Sequence, residues 1–391
     1  MPVVRFMLPY APKEFGAIFF APLRTMRTYS QSELGFMRRA LTLARKGRGQ
    51  TSPNPMVGAV VVKAGRIVSE GYHRRAGEEH AEVVALKEAG EKARGAILFV
   101  NLEPCSHYGR TAPCVEAIAS AGIRKVFASV IDPNPLVNSR GMKFLRKRNI
   151  EVGVGLLAEE AKELNEVHFK VMRKNLPFVT LKFAQSLDGR IATRSYDSRW
   201  VTGEPARRFA HFLRAVHDAV LVGRKTVEVD DPQLTVRLVK GENPLRLVLD
   251  TEGKLNPSAR LIRENGDRKT VLVSGPSEPV QSELKEKVTI WRVALKSGRV
   301  DLRSALEKVL AQGVTSVLVE GGAGVLTNFL KEKLADKVYV ATAPMIIGEG
   351  ISAVNDLGVE KLSQAVRFER VQHKKLGVDI LFSGYPVCSP A

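Results

Sequence analysis

Early in the chain, "EEHAEVVAL" (residues 78–86) is followed by "NLEPCSHYGRTAPC" (residues 101–114). His80 offers an imidazole nitrogen, and Cys105 and Cys114 offer thiolate sulfurs, the donor types that hold zinc. Three protein ligands leave a fourth position for water, and the metal's charge lowers the pKa of that water to about 7. Hydroxide is then available at neutral pH. A carboxylate must carry protons between it, a ring nitrogen and departing ammonia. Glu82, two residues past His80, is spaced for that task.

His-x-Glu followed by Pro-Cys and a second Cys is the signature of zinc deaminases that act on nucleobases. A closed zinc site that only holds the fold together is the competing reading. It needs a fourth protein ligand, for which His107 or His73 is available. The usual deaminase pattern puts two residues between its cysteines. Here there are eight, "SHYGRTAP", and they include His107 and Arg110, groups suited to a ribose or a phosphate.

These residues need elements to bring them together. Ser30 and Glu33 form a capping-box pattern at the start of a helix. Leu34, Met37, Leu41 and Ala44 then recur at helical spacing, and Gly47 offers a stop. "VGAVVVKAGRIVSEGYH" predicts a hairpin turning at Ala64-Gly65. A helix opens near His80 and closes near Gly90. "AILFVNL" and "KVFASVI" predict strands, and "APCVEAIASAG" a helix with Cys114 in its first turn. "LAEEAKELNEVHFKVMRKN" predicts one long amphipathic helix. This alternation predicts a three-layer α/β domain. After Asn175-Leu176-Pro177, "FVTLKF", "LRLVLD", "TVLVSG" and "SVLVEGG" are strands of a second α/β unit, with no repeat linking the halves. The expected division is a leader at 1–29, one domain at 30–175 and another at 176–391.

The second unit contains "TSVLVEGGAGVLTNFL", a strand running through a Gly-rich turn into a helix. Backbone amides at such a helix start attract phosphate. Gly-Gly turns also serve close packing alone, and the motif leaves both readings open.

A length of 391 residues suits two ordinary domains, and no run of 18 apolar residues suggests a membrane span. Lys and Arg total 60 against 41 acids, a formal charge of +19 that favours anionic partners. The basic residues are scattered, which favours a solvated basic surface first, phosphate-bearing small molecules second and nucleic acid third. Three cysteines, with Cys388 a bystander in the tail, do not make a disulfide framework. Residues 1–29 carry Arg5, Lys13, Arg24 and Arg27 with Glu14 as the sole acid. They read as an organellar targeting segment or, preferentially, as an overlong start preceding Met26, and no packed structure is expected there.

The stretches "SPNPMVGAVVV", "GYHRRAGEEHAEVVAL", "NLEPCSHYGRTAPC", "DPNPLV", "LKFAQSLDGRIA", "DSRW", "DDPQLTVR" and "VLVEGG" are similar to the bifunctional riboflavin-biosynthesis deaminase–reductases. The resemblance runs from about residue 33 to near the end, and the eight-residue cysteine spacing is itself a family trait. It implies a cytidine-deaminase-like α/β/α domain followed by a dihydrofolate-reductase-like α/β domain. The implied reactions are zinc-dependent hydrolytic deamination of 2,5-diamino-6-(5-phosphoribosylamino)pyrimidin-4(3H)-one, then NADPH-dependent reduction to 5-amino-6-(5-phosphoribitylamino)uracil. By the same resemblance His80, Cys105 and Cys114 hold Zn2+, Glu82 is the proton donor and acceptor, and Asn54, His73, His107 and Arg110 contact the pyrimidine and ribose phosphate. Asn54 could instead only fix a turn, and Arg110 could be solvated surface.

In the second domain the resemblance puts Ala184, Trp200, Thr226, Asp230 and Thr251 along NADPH, with Gly322, Ala323, Gly324, Val325, Leu326, Thr327 and Asn328 in the Gly-rich turn. Lys182, Ser198, Arg214, Leu234, Arg237 and Glu320 surround the substrate, with Arg214 and Arg237 suited to a bidentate grip on phosphate. No residue stands out as proton donor to the opened sugar. Four positions, at three places in the chain, depart from the family. Tyr196 stands where relatives often have glycine, Gly203 replaces a common serine, and Asn138-Ser139 replaces the Ala-Gly of "AGRG".

The expected partner is a phosphorylated small molecule, with no nucleic acid and no membrane, in a cytoplasmic homo-oligomer, or an organellar one if the leader targets. Two other readings compete. A nucleic-acid deaminase would share the zinc chemistry, but the second half lacks clustered aromatic and basic residues. A non-catalytic zinc-stabilised binding protein would need a closed, four-ligand site.

Overall fold

The computed structural model describes residues 29–108, 112–277 and 279–387. The leader up to residue 28, Arg110 and Cys388 lie outside the described residues, and so do the expectations attached to them.

The first helix, α1 (Gln31–Ala44), opens on the predicted capping box. Ser30 Oγ accepts the Glu33 N–H, and the Glu33 carboxylate accepts the Ser30 N–H. Its buried stripe of Met37, Ala40, Leu41, Leu43 and Ala44 lies on β1 (Gly58–Lys63) and its neighbours. Gly58 is required there, because a Cβ would strike the Ala40 carbonyl. The hairpin turns at Ala64 and Gly65 into β2 (Arg66–Tyr72). Then follow α2 (Ala81–Ala89), β3 (Ile97–Leu102), α3 (Cys114–Ser120), β4 (Lys125–Val130), α4 (Arg140–Lys147) and β5 (Glu151–Val154).

The five strands order as β2-β1-β3-β4-β5. β1 runs antiparallel to β2 and β3, while β3, β4 and β5 are parallel. On one face Met37, Ala40 and Leu43 pack against Val60, Phe99 and Phe127. On the other, Ala85, Val115, Ile118 and Leu145 from α2, α3 and α4 pack against Val61, Leu98 and Val126. These are the three layers predicted.

One prediction fails. The long helix expected over "LAEEAKELNEVHFKVMRKN" is two, α5 (Ala158–Leu164) and α6 (Glu166–Lys174). Asn165 between them leaves helical geometry at φ −108°, ψ 28°. Its Oδ1 accepts the Met56 N–H at 2.8 Å, and its Nδ2 donates to the Met56 carbonyl at 3.0 Å. A short amide side chain satisfied by a distant backbone competes with the helix. The break turns α6 towards the second domain.

That domain runs β6 (Phe178–Gln185), β7 (Arg190–Thr193), α7 (Glu204–Val216), β8 (Ala219–Gly223), α8 (Arg224–Asp230), β9 (Leu245–Leu249), α9 (Arg260–Arg263), β10 (Thr270–Ser274), α10 (Ser282–Lys287) and β11 (Thr289–Arg292). After a small hairpin, β12 (Leu295–Lys296) and β13 (Arg299–Val300), come α11 (Leu302–Ala311), β14 (Ser316–Val319), α12 (Ala323–Lys331), β15 (Lys337–Thr342), β16 (Gly350–Ser352), β17 (Arg367–Leu376) and β18 (Asp379–Val387). Nine strands order as β11-β10-β9-β8-β14-β6-β15-β18-β17. The seven from β11 to β15 are parallel, and β18 and β17 close the edge antiparallel. β14 is buried at all four positions, as a strand covered on both faces must be.

Polar ties join the domains. Lys170 Nζ meets Asp336 at 2.5 Å, Lys337 Nζ meets Glu166 at 2.9 Å, and the Tyr385 hydroxyl also donates to Glu166. Among the described residues, no helix is long and apolar enough to cross a membrane.

Candidate active sites

The first site forms where two helix starts meet the end of β3. His80 is the residue capping α2, with extended backbone, and Glu82 lies in the first turn, 3% exposed. Gly71 of β2 lets this turn come close, since a Cβ there would meet the Ala81 carbonyl. Cys114 is the first residue of α3, and Cys105 lies three residues beyond β3. His80 Nδ1 is 3.2 Å from Cys114 Sγ and 3.6 Å from Cys105 Sγ, and the three ligand atoms fall within 4.8 Å of one another.

The electrostatics suit a cation. The Cys114 thiol, the His80 ring and the Cys114 N–H, 3.3 Å away, bring the Cys105 thiol down to about 4. That neighbouring thiolate and burial push Cys114 the other way. A divalent cation supplies the charge that lets both sulfurs ionise, so the donor set fits zinc. Burial raises Glu82 to about 7.

The fourth ligand of a closed site is not found among the described residues. His73 has both nitrogens committed: Nε2 accepts from Asn54 Nδ2 at 3.1 Å, and Nδ1 donates to the Glu79 carbonyl at 3.1 Å. Burial lowers its pKa, which keeps the ring neutral. His107 is outside the ligand cluster, and its buried Nδ1 has no partner. Asn54, His73 and His107 border the same cavity of about 430 Å³ as His80, Glu82 and Cys105.

Sequence reasoning missed three side chains here. Glu103, 3% exposed, accepts the N–H groups of Asp132 (3.2 Å), Ser139 (2.9 Å) and Met142 (3.2 Å). It thereby ties the loop before Cys105 to the start of α4. Asp132 and His168 line the cavity, with His168 Nε2 donating to Asp132 Oδ1 at 2.9 Å. For Asp132, the turn segment "DPNPLV" that it opens was the available sign. Ser139, where relatives have glycine, adopts φ 67°, a conformation that disfavours a Cβ.

The second site is a cavity of about 660 Å³ beyond the carboxyl ends of the parallel strands. It brings together Lys182, Ala184, Ser198, Trp200, Arg214, Thr226, Asp230, Leu234, Arg237, Glu320 and Gly322. Ser198 Oγ donates to Asp230, and the Gly322 N–H donates to Thr226 Oγ1 at 3.0 Å. Burial lowers Lys182 and raises Asp230. Tyr196, the second glycine-position departure, sits at φ 65° with its hydroxyl accepting from Lys225 at 2.7 Å. Gly203 precedes α7, where its N–H donates to Asp379 at 2.8 Å.

The structure corrects one expectation. Arg214 does not present a free fork for phosphate, because Nε and Nη2 engage the two Glu320 oxygens at 3.0 and 2.6 Å. The pair is largely buried, and a carboxylate already in place satisfies the planar donor geometry. The Arg237 guanidinium donates to the Thr235 hydroxyl, at 2.5 Å. Thr251 and residues 323–328 of the Gly-rich stretch are not among the residues lining this cavity. Thr251 Oγ1 accepts the Val300 N–H, Leu326 is wholly buried, and Thr327 Oγ1 donates to the Ala323 carbonyl at 2.6 Å. What that stretch offers a ligand is backbone N–H at the start of α12.

Comparison with known proteins matches both halves. The profile described as the cytidine and deoxycytidylate deaminase zinc-binding region covers residues 30–130, and that of the RibD C-terminal domain covers residues 177–382. Riboflavin biosynthesis protein RibD of Aquifex aeolicus is 44% identical over 347 residues, 88% of this chain and 96% of that protein. Its counterpart in Bacillus amyloliquefaciens is 40% identical, over 90% of this chain and 95% of the relative. Among solved structures, RibD of Acinetobacter baumannii superposes with a TM-score of 0.83 at 36% identity, covering 91% of this chain and 99% of that one. A Thermotoga maritima diaminohydroxyphosphoribosylaminopyrimidine deaminase/5-amino-6-(5-phosphoribosylamino)uracil reductase gives 0.82 at 38% identity, with the same coverage.

Proposed function

The chain belongs to the RibD family of riboflavin-biosynthesis proteins, and from that premise we propose how its own residues divide the work. It is a bifunctional deaminase and reductase, with a cytidine-deaminase-like domain, a dihydrofolate-reductase-like domain, zinc and NADPH. In our assignment residues 30–175 form the deaminase and 176–391 the reductase, a division supported by the gap between α6 and β6.

In the deaminase, His80, Cys105 and Cys114 hold zinc, which when bound supplies an activated water. Glu82 would carry one proton from the attacking water to the ring nitrogen and the second, from the hydroxyl thereby added to the ring carbon, to the amino group that leaves as ammonia. A carboxyl whose pKa lies near neutrality, about 7, can do both. Asn54 fixes the neutral His73, and the unpartnered His107 Nδ1 is left for the ribose phosphate. The substrate is the diaminopyrimidine ribosylamine phosphate. In the reductase, NADPH supplies hydride, Ala184, Trp200, Thr226 and Asp230 border it, and Lys182, Ser198, Leu234, Arg237 and the Arg214–Glu320 pair surround the sugar phosphate.

The buried Glu82 beside a three-ligand cluster carries this reading. A cavity of about 430 Å³ suits a small molecule, which argues against a polynucleotide substrate. A cytoplasmic homo-oligomer completes the proposal, and sedimentation of the purified protein tests its assembly. The decisive experiment follows ammonia release and NADPH oxidation together on the diaminopyrimidine substrate. Glu82→Gln should abolish both, yet oxidise NADPH at the wild-type rate when given the deaminated intermediate. Ammonia release by Glu82→Gln at the wild-type rate would overturn the assignment.

A further inference from the structure

His211 belongs to no motif singled out above, yet it lines the reductase cavity from α7 and is 6% exposed. Its Nδ1 accepts the backbone N–H of Arg237 at 2.9 Å. A nitrogen that accepts an N–H bond carries no proton, so the proton of the neutral ring sits on Nε2. That nitrogen has no hydrogen-bond partner among the described residues, and it is not among the buried polar atoms lacking one, so it is open to the cavity. Lys182, Arg214, Arg237 and Glu320, the charged residues assigned to the sugar phosphate, act electrostatically on this ring.

We propose that His211 is a substrate-binding residue of the reductase, its Nε2–H donating a hydrogen bond to an oxygen of the ribose phosphate. Burial, followed by Arg214 and Arg237, lowers the ring to about 4, so it stays neutral through the physiological range. A neutral donor serves better here than a cation would, because a further positive charge would be repelled by Arg214, Arg237 and Lys182. The ring thus adds direction to a site whose charge is already supplied. The proposal rests on the reductase reading above.

Two amide substitutions separate donation from anchoring. His211→Gln places an N–H near the Nε2 position and gives up the acceptor for Arg237, whereas His211→Asn keeps that acceptor and gives up the donor. His211→Phe keeps a ring and removes both. Purified full-length variants are assayed for NADPH oxidation on the isolated deaminated intermediate. The expected result is a fall in kcat/KM of about 10- to 100-fold for Asn and Phe, the range of a hydrogen bond to a charged oxygen. Gln should stay within a few-fold of wild type, and ammonia release should be unchanged throughout. The Phe variant's penalty on a dephosphorylated intermediate identifies the acceptor: persistence points to a sugar oxygen, and disappearance to the phosphate. Activity kept by Asn and lost by Gln, or equal in the two, would overturn the proposal. Wild-type protein that oxidises no NADPH would overturn the reductase reading and the proposal with it.

Discussion

Glu103 gives the sharpest test of how the zinc site is held in place. Its buried carboxylate takes three backbone N–H groups, two on Oε2 and one on Oε1, from the loop after β4 and the first turn of α4. The α4 start has no capping side chain of its own, so Glu103 satisfies its orphan donors from a distance. Gly141 permits this, since a Cβ there would meet the Pro104 carbonyl and Glu103 Oε1. A buried donor left unpaired costs about 1–3 kcal/mol. Glu103→Ala strands three and should cost about 3–6 kcal/mol, allowing for partial relaxation. In Glu103→Gln the amide oxygen can still serve Asp132 and Ser139, but the NH2 then faces the Met142 N–H, for a loss of about 2–4 kcal/mol. Against a typical total of about 5–15 kcal/mol, either loss is large. Cys105 is two residues away, so the damage should reach the metal. In urea titrations, zinc and ammonia release should be lost at lower denaturant than in wild type, while NADPH oxidation on the deaminated intermediate keeps its midpoint. Glu103→Ala with wild-type zinc retention and a wild-type midpoint would refute the reasoning.

Arg214→Lys replaces a two-bond fork with a point contact and should lower reductase kcat/KM by about 10- to 100-fold, with deamination untouched; steady-state assays of each half-reaction check this. His168→Phe removes the donor to Asp132 and should raise the deaminase KM several-fold at nearly constant kcat, which an ammonia assay over a substrate series reads directly. Stability should also fall with acidification because of His211. Its folded-state pKa of about 4 lies below the ordinary 6.5, so as pH falls through that window the unfolded chain binds the proton first. Stability conferred above pH 6.5 is therefore lost down to about 4, by about 3 kcal/mol at most. Melting curves of wild type and His211→Gln should converge across that window, and parallel curves would remove His211 as the cause.

The deaminase chemistry was legible because it is written locally. His80 and Glu82 share one helix start, and a glutamate, a proline and a cysteine mark the end of a strand. The capping box of α1 was legible for the same reason. What could not be read depends on partners remote in sequence. The helix break at Asn165 is decided by Met56, 109 residues away, and the Arg214 fork is claimed by Glu320 from 106 residues away. A guanidinium in a reductase cavity looks like a phosphate ligand until its carboxylate partner is known. His168 likewise gives no sign in its own segment, because its role depends on Asp132, 36 residues earlier.

The break at Asn165 also has a geometric reason in the two-domain design. Within α6, Glu166 and Lys170 are four residues apart on one face, and His168 and Met172 are four apart on nearly the opposite one. The first pair is held by Lys337, Tyr385 and Asp336 of the reductase. The second pair forms part of the deaminase cavity wall. A continuous helix from Ala158 would keep the direction set by α5, which packs Ala161 and Leu164 against Leu41 and Leu102. It could not also turn one face to β15 and β18. Partly buried ion pairs contribute little net stability but penalise misalignment, because a separated partner leaves a charge uncompensated. Side chains of the reductase thus hold the helix whose opposite face forms part of the neighbouring cavity wall. That gives the joined chain a structural consequence beyond keeping two enzymes at equal concentration.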